Sequence, residues 1–353
     1  MTLRPVSAYA REIKPLLPAR AFEPARSRLL WLPLHTAVIV LGMYAMVRDL
    51  PSPWLYPVIS LVLGCSFAGL VFLAHETLHG ATVRELRLRQ LVGWFGFLPF
   101  VVSPRLWIAW HNRVHHGNAN HSGADPDAYP TLAEHRESSL VRVSTDWFGI
   151  GRRRLRGLVS LCLGFSFQSA HVLFTATRRG YLTPRAHRLA AFETGLAVLV
   201  WIALAFALGP LPFLVTCVAP LVVANALVMA HIFTNHALSP LTPVNDPLAN
   251  SLTVTVPPLV EWLTLGFGYH VEHHLFPWMS ARHAPAVREL VISRWPERYQ
   301  SLPLLEALLR VHRTPRVYAD DTTLVDPATG ARHATLAAHA AVTPPPANPN
   351  VEG

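Results

Sequence analysis

Eight histidines in this sequence fall into three tight groups. The first is His75 and His79, the second is His111, His115 and His116, and the third is His270, His273 and His274. On an α-helix, residues three and four apart share a face. His75 and His79 are therefore expected to converge, as are His111 and His115, and His270 with His273 and His274. His116 can turn inward if its helix ends there. Neutral imidazole is a ligand for zinc, copper, iron and nickel. One structural zinc takes four ligands. Eight histidines exceed that, so the pattern implies two metals. Oxygen chemistry needs a redox metal with open positions, which points to iron. Any one of these histidines alone reads as a hydrogen-bonded core residue. Three clusters with ligand spacing on one membrane face read as a metal site.

Other readings compete for parts of this pattern. His75-Glu76-Thr77-Leu78-His79 also fits HExxH, the signature of zinc proteases, in which the glutamate is the general base. That reading leaves the second and third groups unexplained. Soluble carboxylate-bridged di-iron bundles need two E-x-x-H motifs, and only Glu76 to His79 was found to supply one. Asp125, Asp127, Glu76 and Glu272 could orient imidazole rings from behind. Asp125-Pro126-Asp127 is also ordinary turn chemistry.

The elements that position these groups follow from composition. Of 353 residues, 51% are hydrophobic and 14% charged, against roughly 25% charged in an average soluble domain. Mean hydropathy is +0.30. These values predict an all-α, polytopic membrane protein. A membrane-spanning helix needs roughly 20 apolar residues. Leu29–Val47, Pro53–Ala74, Leu189–Leu208 and Leu211–Ala230 qualify, giving about four spans. Short links after the first and third spans force two antiparallel hairpins. Leu91–Val102 and Leu158–Phe174 are ambiguous. If either crossed alone, the histidine groups would be split across the bilayer. Both are therefore placed at the interface or as re-entrant helices, beside a cytosolic helical cap that holds the metal site.

Net charge is +9, and Lys14 is the only lysine. With this hydrophobicity, the positive charge fits the positive-inside rule and anionic lipid rather than nucleic acid. Arginines crowd the segment before the first span and the loops on the histidine side, so both termini and the active site are expected in the cytoplasm. The arginine bias suggests a bacterial inner membrane. Residues 1–28 read as a cytosolic segment with no cleaved leader, 29–316 as the membrane domain, and 317–353 as a disordered tail rich in Ala, Thr and Pro. Cys65, Cys162 and Cys217 sit in apolar runs and suggest neither disulfides nor a metal site. Trp54, Trp94 and Trp107 read as interfacial anchors.

The three groups and their flanks resemble the histidine boxes of membrane fatty acid desaturases and their hydroxylase and ketolase relatives. The resemblance includes Trp110 through His116, then Asp125-Pro126-Asp127, and Gly268 through Pro277. It runs from about Leu29 to Arg288. It implies a histidine-ligated, non-haem centre of two iron ions, O2 as co-substrate, and removal of two hydrogens from a buried acyl chain. The substrate would be an acyl-lipid or acyl-carrier conjugate among membrane lipids. No His-Pro-Gly-Gly haem signature occurs, so a separate, ferredoxin-like electron donor is expected. The resemblance also implies a ninth ligand where the fourth span exits. His236 is favoured there, with His231 as the alternative and Asn235 as a water-mediated partner. The first box has three intervening residues, where many acyl desaturases have four. That spacing also occurs in hydroxylases and ketolases, so a lipid or carotenoid hydroxylase or ketolase is the nearest rival. An HExxH intramembrane protease and a histidine-rich metal transporter are the more distant ones.

Overall fold

The computed structural model describes residues 2–336. An N-terminal helix α1 (Val6–Ile13) precedes the first hairpin, α2 (Arg26–Val47) and α3 (Pro53–Leu78). A bent pair follows, α4 (Leu86–Phe100) and α5 (Pro104–Asn118), with 102° between them. Then come α6 (Leu155–Thr175) and the second hairpin, α7 (Pro184–Leu208) and α8 (Pro210–His236). The third histidine box lies on a short helix, α9 (His270–Leu275). Helix α10 (Leu304–Arg313) comes later.

Helix α3 is the axis of the molecule, and small residues let its neighbours approach. Apolar helices in lipid gain little from hydrophobic contact with each other, so close packing decides which faces meet. A Cβ on Gly64 of α3 would lie 2.5 Å from the Val223 side chain and 3.0 Å from the Pro220 carbonyl of α8. A Cβ on Gly96 of α4 would lie 2.7 Å from both Ala74 Cβ and the Leu70 carbonyl of α3. Larger residues at either point would push α8 or α4 away from the end of α3 that carries His75 and His79. The outer helices face lipid instead: Leu41, Tyr44, Leu199 and Phe206 are exposed.

Five helices are long and apolar enough to cross a membrane among the described residues, where the sequence suggested about four. The addition is α6. Connectivity keeps both ends of the segment that contains it on one side. The ends of α3 and α8 both reach the histidine cluster, with His75 in one ligand group and His236 in the other, and Gly209, at φ +76°, turns α7 back along α8. Helix α7 must then begin on the histidine side, where α5 also ends. The segment between them starts and finishes on that face. Helix α6 packs instead along α8, with Gly164 against Met229 and the Ser166 N–H donating to Asn225 at 3.4 Å. Leu91–Val102 runs from within α4 into the bend that precedes α5.

The C-terminal expectation is corrected where it can be described. Residues 317–336 are ordered against the body of the protein. β3 (Tyr318–Asp320), β4 (Thr323–Val325) and β5 (Arg332–Ala334) form an antiparallel sheet. Two earlier strands, β1 (Thr253–Thr255) and β2 (Ser301–Pro303), pair in parallel. Tyr318, Leu324 and Val325 are buried, and the Ala/Thr/Pro bias of the tail obscured them. The rest of the expected tail, 337–353, lies outside the described residues. The N-terminal segment is anchored too. Tyr9, Ile13 and Leu17 share a core with Val271 and Leu275 of α9.

Candidate metal centre

The helical ends gather the imidazoles into two groups. His75, His79, His111, His116 and His273 form one, and His115, His236, His270 and His274 form the other. Within each group the ligand atoms lie within 4.8 Å of one another.

Helical geometry explains how three boxes serve two groups. Consecutive residues on an α-helix diverge by about 100°. His273 and His274 therefore face different groups, while His270 and His274, one turn apart, face the same one. The second box is built differently. Ile108–His115 is a π-helix, and the His116 N–H bonds to the His111 carbonyl. This wider turn places His116 with His111 and leaves His115 to the other group. His111 and His115 remain neighbours: their rings stack at 5.1 Å, and with Asp127 they form a third set of close donor atoms, while each also belongs to one of the two larger groups. π-turns of this kind are rare and often mark functional sites.

The ring nitrogens fit metal ligation. Nε2 atoms face one another at 3.1 Å for His75 and His111, 2.7 Å for His236 and His270, 3.0 Å for His270 and His274, and 3.1 Å for His116 and His273. The buried Nε2 of His79 has no hydrogen-bond partner among the described residues. At the opposite ring edges, His115 Nδ1 donates to Asp125 at 2.9 Å and His236 Nδ1 to the Asn250 carbonyl at 2.7 Å. Nε2 is therefore the atom each of those rings turns inward toward a metal; against the effect of burial, the Asp125 and Asp127 carboxylates hold metal-free His115 up to about 9. Converging lone pairs in a buried site need a cation between them, and the residues present fit two. Burial, joined by the neighbouring imidazoles, holds His270, His273 and His274 well below the usual histidine range. They stay neutral, which is the ligand form.

The carboxylates divide. Asp125 accepts from His115, from the Asn120 N–H at 2.8 Å and from the Asp127 N–H at 3.0 Å. Asp127 lies 3.5 Å from His115 Nδ1 and accepts from Trp110 and Gln168 at 3.0 and 2.6 Å. Burial pushes its carboxyl up to about 6. Among the described residues Glu76 and Glu272 make no hydrogen bond to an imidazole and are held by other partners. Glu76 accepts from Ser280 at 2.5 Å and from the Ala281 N–H at 3.0 Å, joining α3 to the chain after α9. Glu272 accepts from Thr253 and Tyr299 at 2.6 and 2.5 Å. Its burial raises its carboxyl above the usual range.

His231 stands apart. Its Nδ1 donates to the Leu227 carbonyl at 3.0 Å, and its ring packs on Phe72 and Phe267. The buried Oδ1 of Asn235 has no partner among the described residues. Trp107 is buried and stacks on His111 at 4.3 Å, so it is no interfacial anchor. Trp54 is exposed. Sequence reasoning did not foresee the roles of Asn250, whose contribution is a backbone carbonyl, or of Gln168. A glutamine inside an apolar helix was the available signal for the latter.

Two openings reach the centre. A largely apolar pocket lined by Phe72, Leu265, Phe267 and Met279 abuts His75, His270 and His273. A surface groove under Pro5 to Ser7 reaches His116 and His274 beside Trp278.

The fatty acid desaturase family model matches residues 51–303. An sn-1 acyl-lipid omega-3 desaturase (ferredoxin) of Synechocystis sp. is 25% identical over 201 residues, 54% of this chain and 54% of that protein. A Nostoc sp. protein of the same name is 26% identical over 132 residues, 37% of this chain and 36% of that protein. The chloroplastic omega-6 fatty acid desaturase of Arabidopsis thaliana is 22% identical over 305 residues, 82% of this chain and 65% of that protein. The matched stretches thus span less than two thirds of each relative's length. All three histidine boxes and the fourth-span exit fall inside the family match, and the chain belongs to the fatty acid desaturase family.

Proposed function

We propose that this protein is an oxygen-dependent fatty acyl desaturase whose two irons are held by the eight box histidines and His236. The observation that carries this reading is the convergence of those imidazoles into groups of five and four. When bound, the irons would supply the oxidising power that removes two hydrogens from an unactivated acyl chain. The chain's own residues do the rest. Asp125 and the Asn250 carbonyl fix the His115 and His236 rings. Phe72 and Phe267 shape an apolar wall beside His75, where an acyl chain can lie and water is disfavoured. Asp127, held by Trp110 and Gln168, supports His115 from a second direction.

The relatives' names support an acyl-lipid substrate and a ferredoxin-type donor. The excess of arginine on the histidine side supports a cytoplasmic active site in a bacterial inner membrane. Glu76 is held by Ser280 and the Ala281 N–H, an arrangement that does not favour a protease base. Expression in a desaturase-free host, with lipid profiling by mass spectrometry, tests the reading. New alkenes, two mass units below their precursors, are expected. Products that gain oxygen without unsaturation would overturn it in favour of a hydroxylase or ketolase.

A further inference from the structure

Arg316 is 2% exposed and has no carboxylate within ion-pair distance among the described residues. A buried cation without a counter-charge is costly unless other groups compensate it. Here two helix ends do so. Nη1 donates to the carbonyl of Ala237, the residue that follows the end of α8. Nη2 donates to the Val311 carbonyl in the last turn of α10, at 3.4 Å, and to Thr314 Oγ1. Helix C-termini carry partial negative charge and unsatisfied carbonyls. One guanidinium fork serves both, and the Tyr129 ring lies 5.6 Å away.

The α8 end is where the ligand outside the three boxes sits. His236 is the last residue of α8, and Ala237 follows it. The neighbouring contacts converge on the same exit. Asn120 Nδ2 donates to the His236 carbonyl at 3.2 Å, the Tyr318 hydroxyl to the Ser239 carbonyl at 2.6 Å, and the Leu336 N–H to the Leu238 carbonyl at 2.9 Å. Arg316, Tyr318 and Leu336 all lie beyond residue 303, where the family match ends.

We propose that Arg316 is a positioning residue for His236: by capping the end of α8 it holds that imidazole in the four-histidine group, and the C-terminal segment thereby completes one of the two metal positions. The inference rests on the two-metal reading above. Without the guanidinium, the exit of α8 loses the donor to the Ala237 carbonyl, while His236 keeps its Nδ1 bond to the Asn250 carbonyl and the Asn120 contact at its own carbonyl. The five-histidine group contains no residue of that turn, so it is left intact.

The test uses full-length protein in detergent, stripped of metal and titrated with cobalt(II). Wild type should take up two metals. Arg316→Met should bind one at wild-type affinity and the second about ten- to a hundredfold more weakly, the range seen when support behind a ligand is lost. Arg316→Lys keeps the charge but not the fork, and should give a smaller loss. A purely structural role would lower thermal stability and leave the ratio of the two affinities unchanged. Two unchanged affinities in Arg316→Met, or equal weakening of both, would overturn the proposal. Should Arg316→Met fail to fold, an unaltered second site in Arg316→Lys would do so. A wild-type chain that binds one metal would overturn the two-metal reading itself, and this inference with it.

Discussion

The imidazoles of His116 and His274 stack with centroids 4.3 Å apart and planes 24° apart, and they belong to different ligand groups. The surface groove beside Trp278 ends on this pair. An electron arriving there meets both halves of the centre through adjacent rings. With net charge +9, an acidic carrier fits best. Turnover with reduced ferredoxin should slow as salt rises, since exposed charges are screened beyond about 10 Å at 0.1 M. Steady-state kinetics across ionic strength checks this, and a rate indifferent to salt would count against it.

Asp125 holds His115 through one oxygen and two backbone N–H groups through both. In Asp125→Asn, one position facing those donors becomes an NH2. A buried donor then faces a donor, which costs about 1–3 kcal/mol. Metal affinity of the four-histidine group should fall about ten- to a hundredfold. Cobalt titration reads this directly, and an unchanged affinity would show that the His115 ring is fixed by other contacts.

Glu76 separates the desaturase reading from the protease reading. In a zinc protease of the HExxH type, replacing the glutamate removes the general base while metal binding survives. Here Glu76→Gln should keep most desaturation and lose roughly 1–3 kcal/mol of stability through its bonds to Ser280 and Ala281. Thermal unfolding and product yield, measured on the same preparation, distinguish the two. Complete inactivity at unchanged stability would oppose the structural role.

Acid should destabilise the metal-free protein. His270, His273 and His274 titrate well below the usual range when folded, but near 6.5 when unfolded. Above that pH both states are neutral and nothing is gained or lost. As pH falls below about 6.5, the unfolded chain binds protons that the folded chain does not, so stability drops. Metal uptake should weaken over the same range, because protons compete for the ligands. Apo-protein melting at pH 7.5 and 5.5 checks the sign; equal melting temperatures would contradict it.

Much of this was legible in the sequence, for physical reasons. Helical periodicity puts His75 with His79 and His270 with His274, and a short hairpin link brings the His236 end of α8 back beside α3. The split of the second box was not legible. It depends on a π-turn, and nothing in Trp110 through His116 announces one. The part played by Asn250 was hidden because a backbone carbonyl has no side-chain signature. Helix α6 passes any test of length and apolarity, so only the requirement that all histidines share one face assigns it. The C-terminal sheet was missed because composition over 317–353 averaged the buried Tyr318, Leu324 and Val325 with a polar, proline-rich end.

The central claim is that two metal positions exist and that both hold iron. Iron analysis and Mössbauer spectroscopy of 57Fe-grown, purified protein test it most directly. The account predicts about two irons per chain, both high-spin and nitrogen-ligated, falling to about one in His236→Ala. A fully active preparation with one tightly bound zinc, or with iron content unchanged by loss of His236, would contradict it.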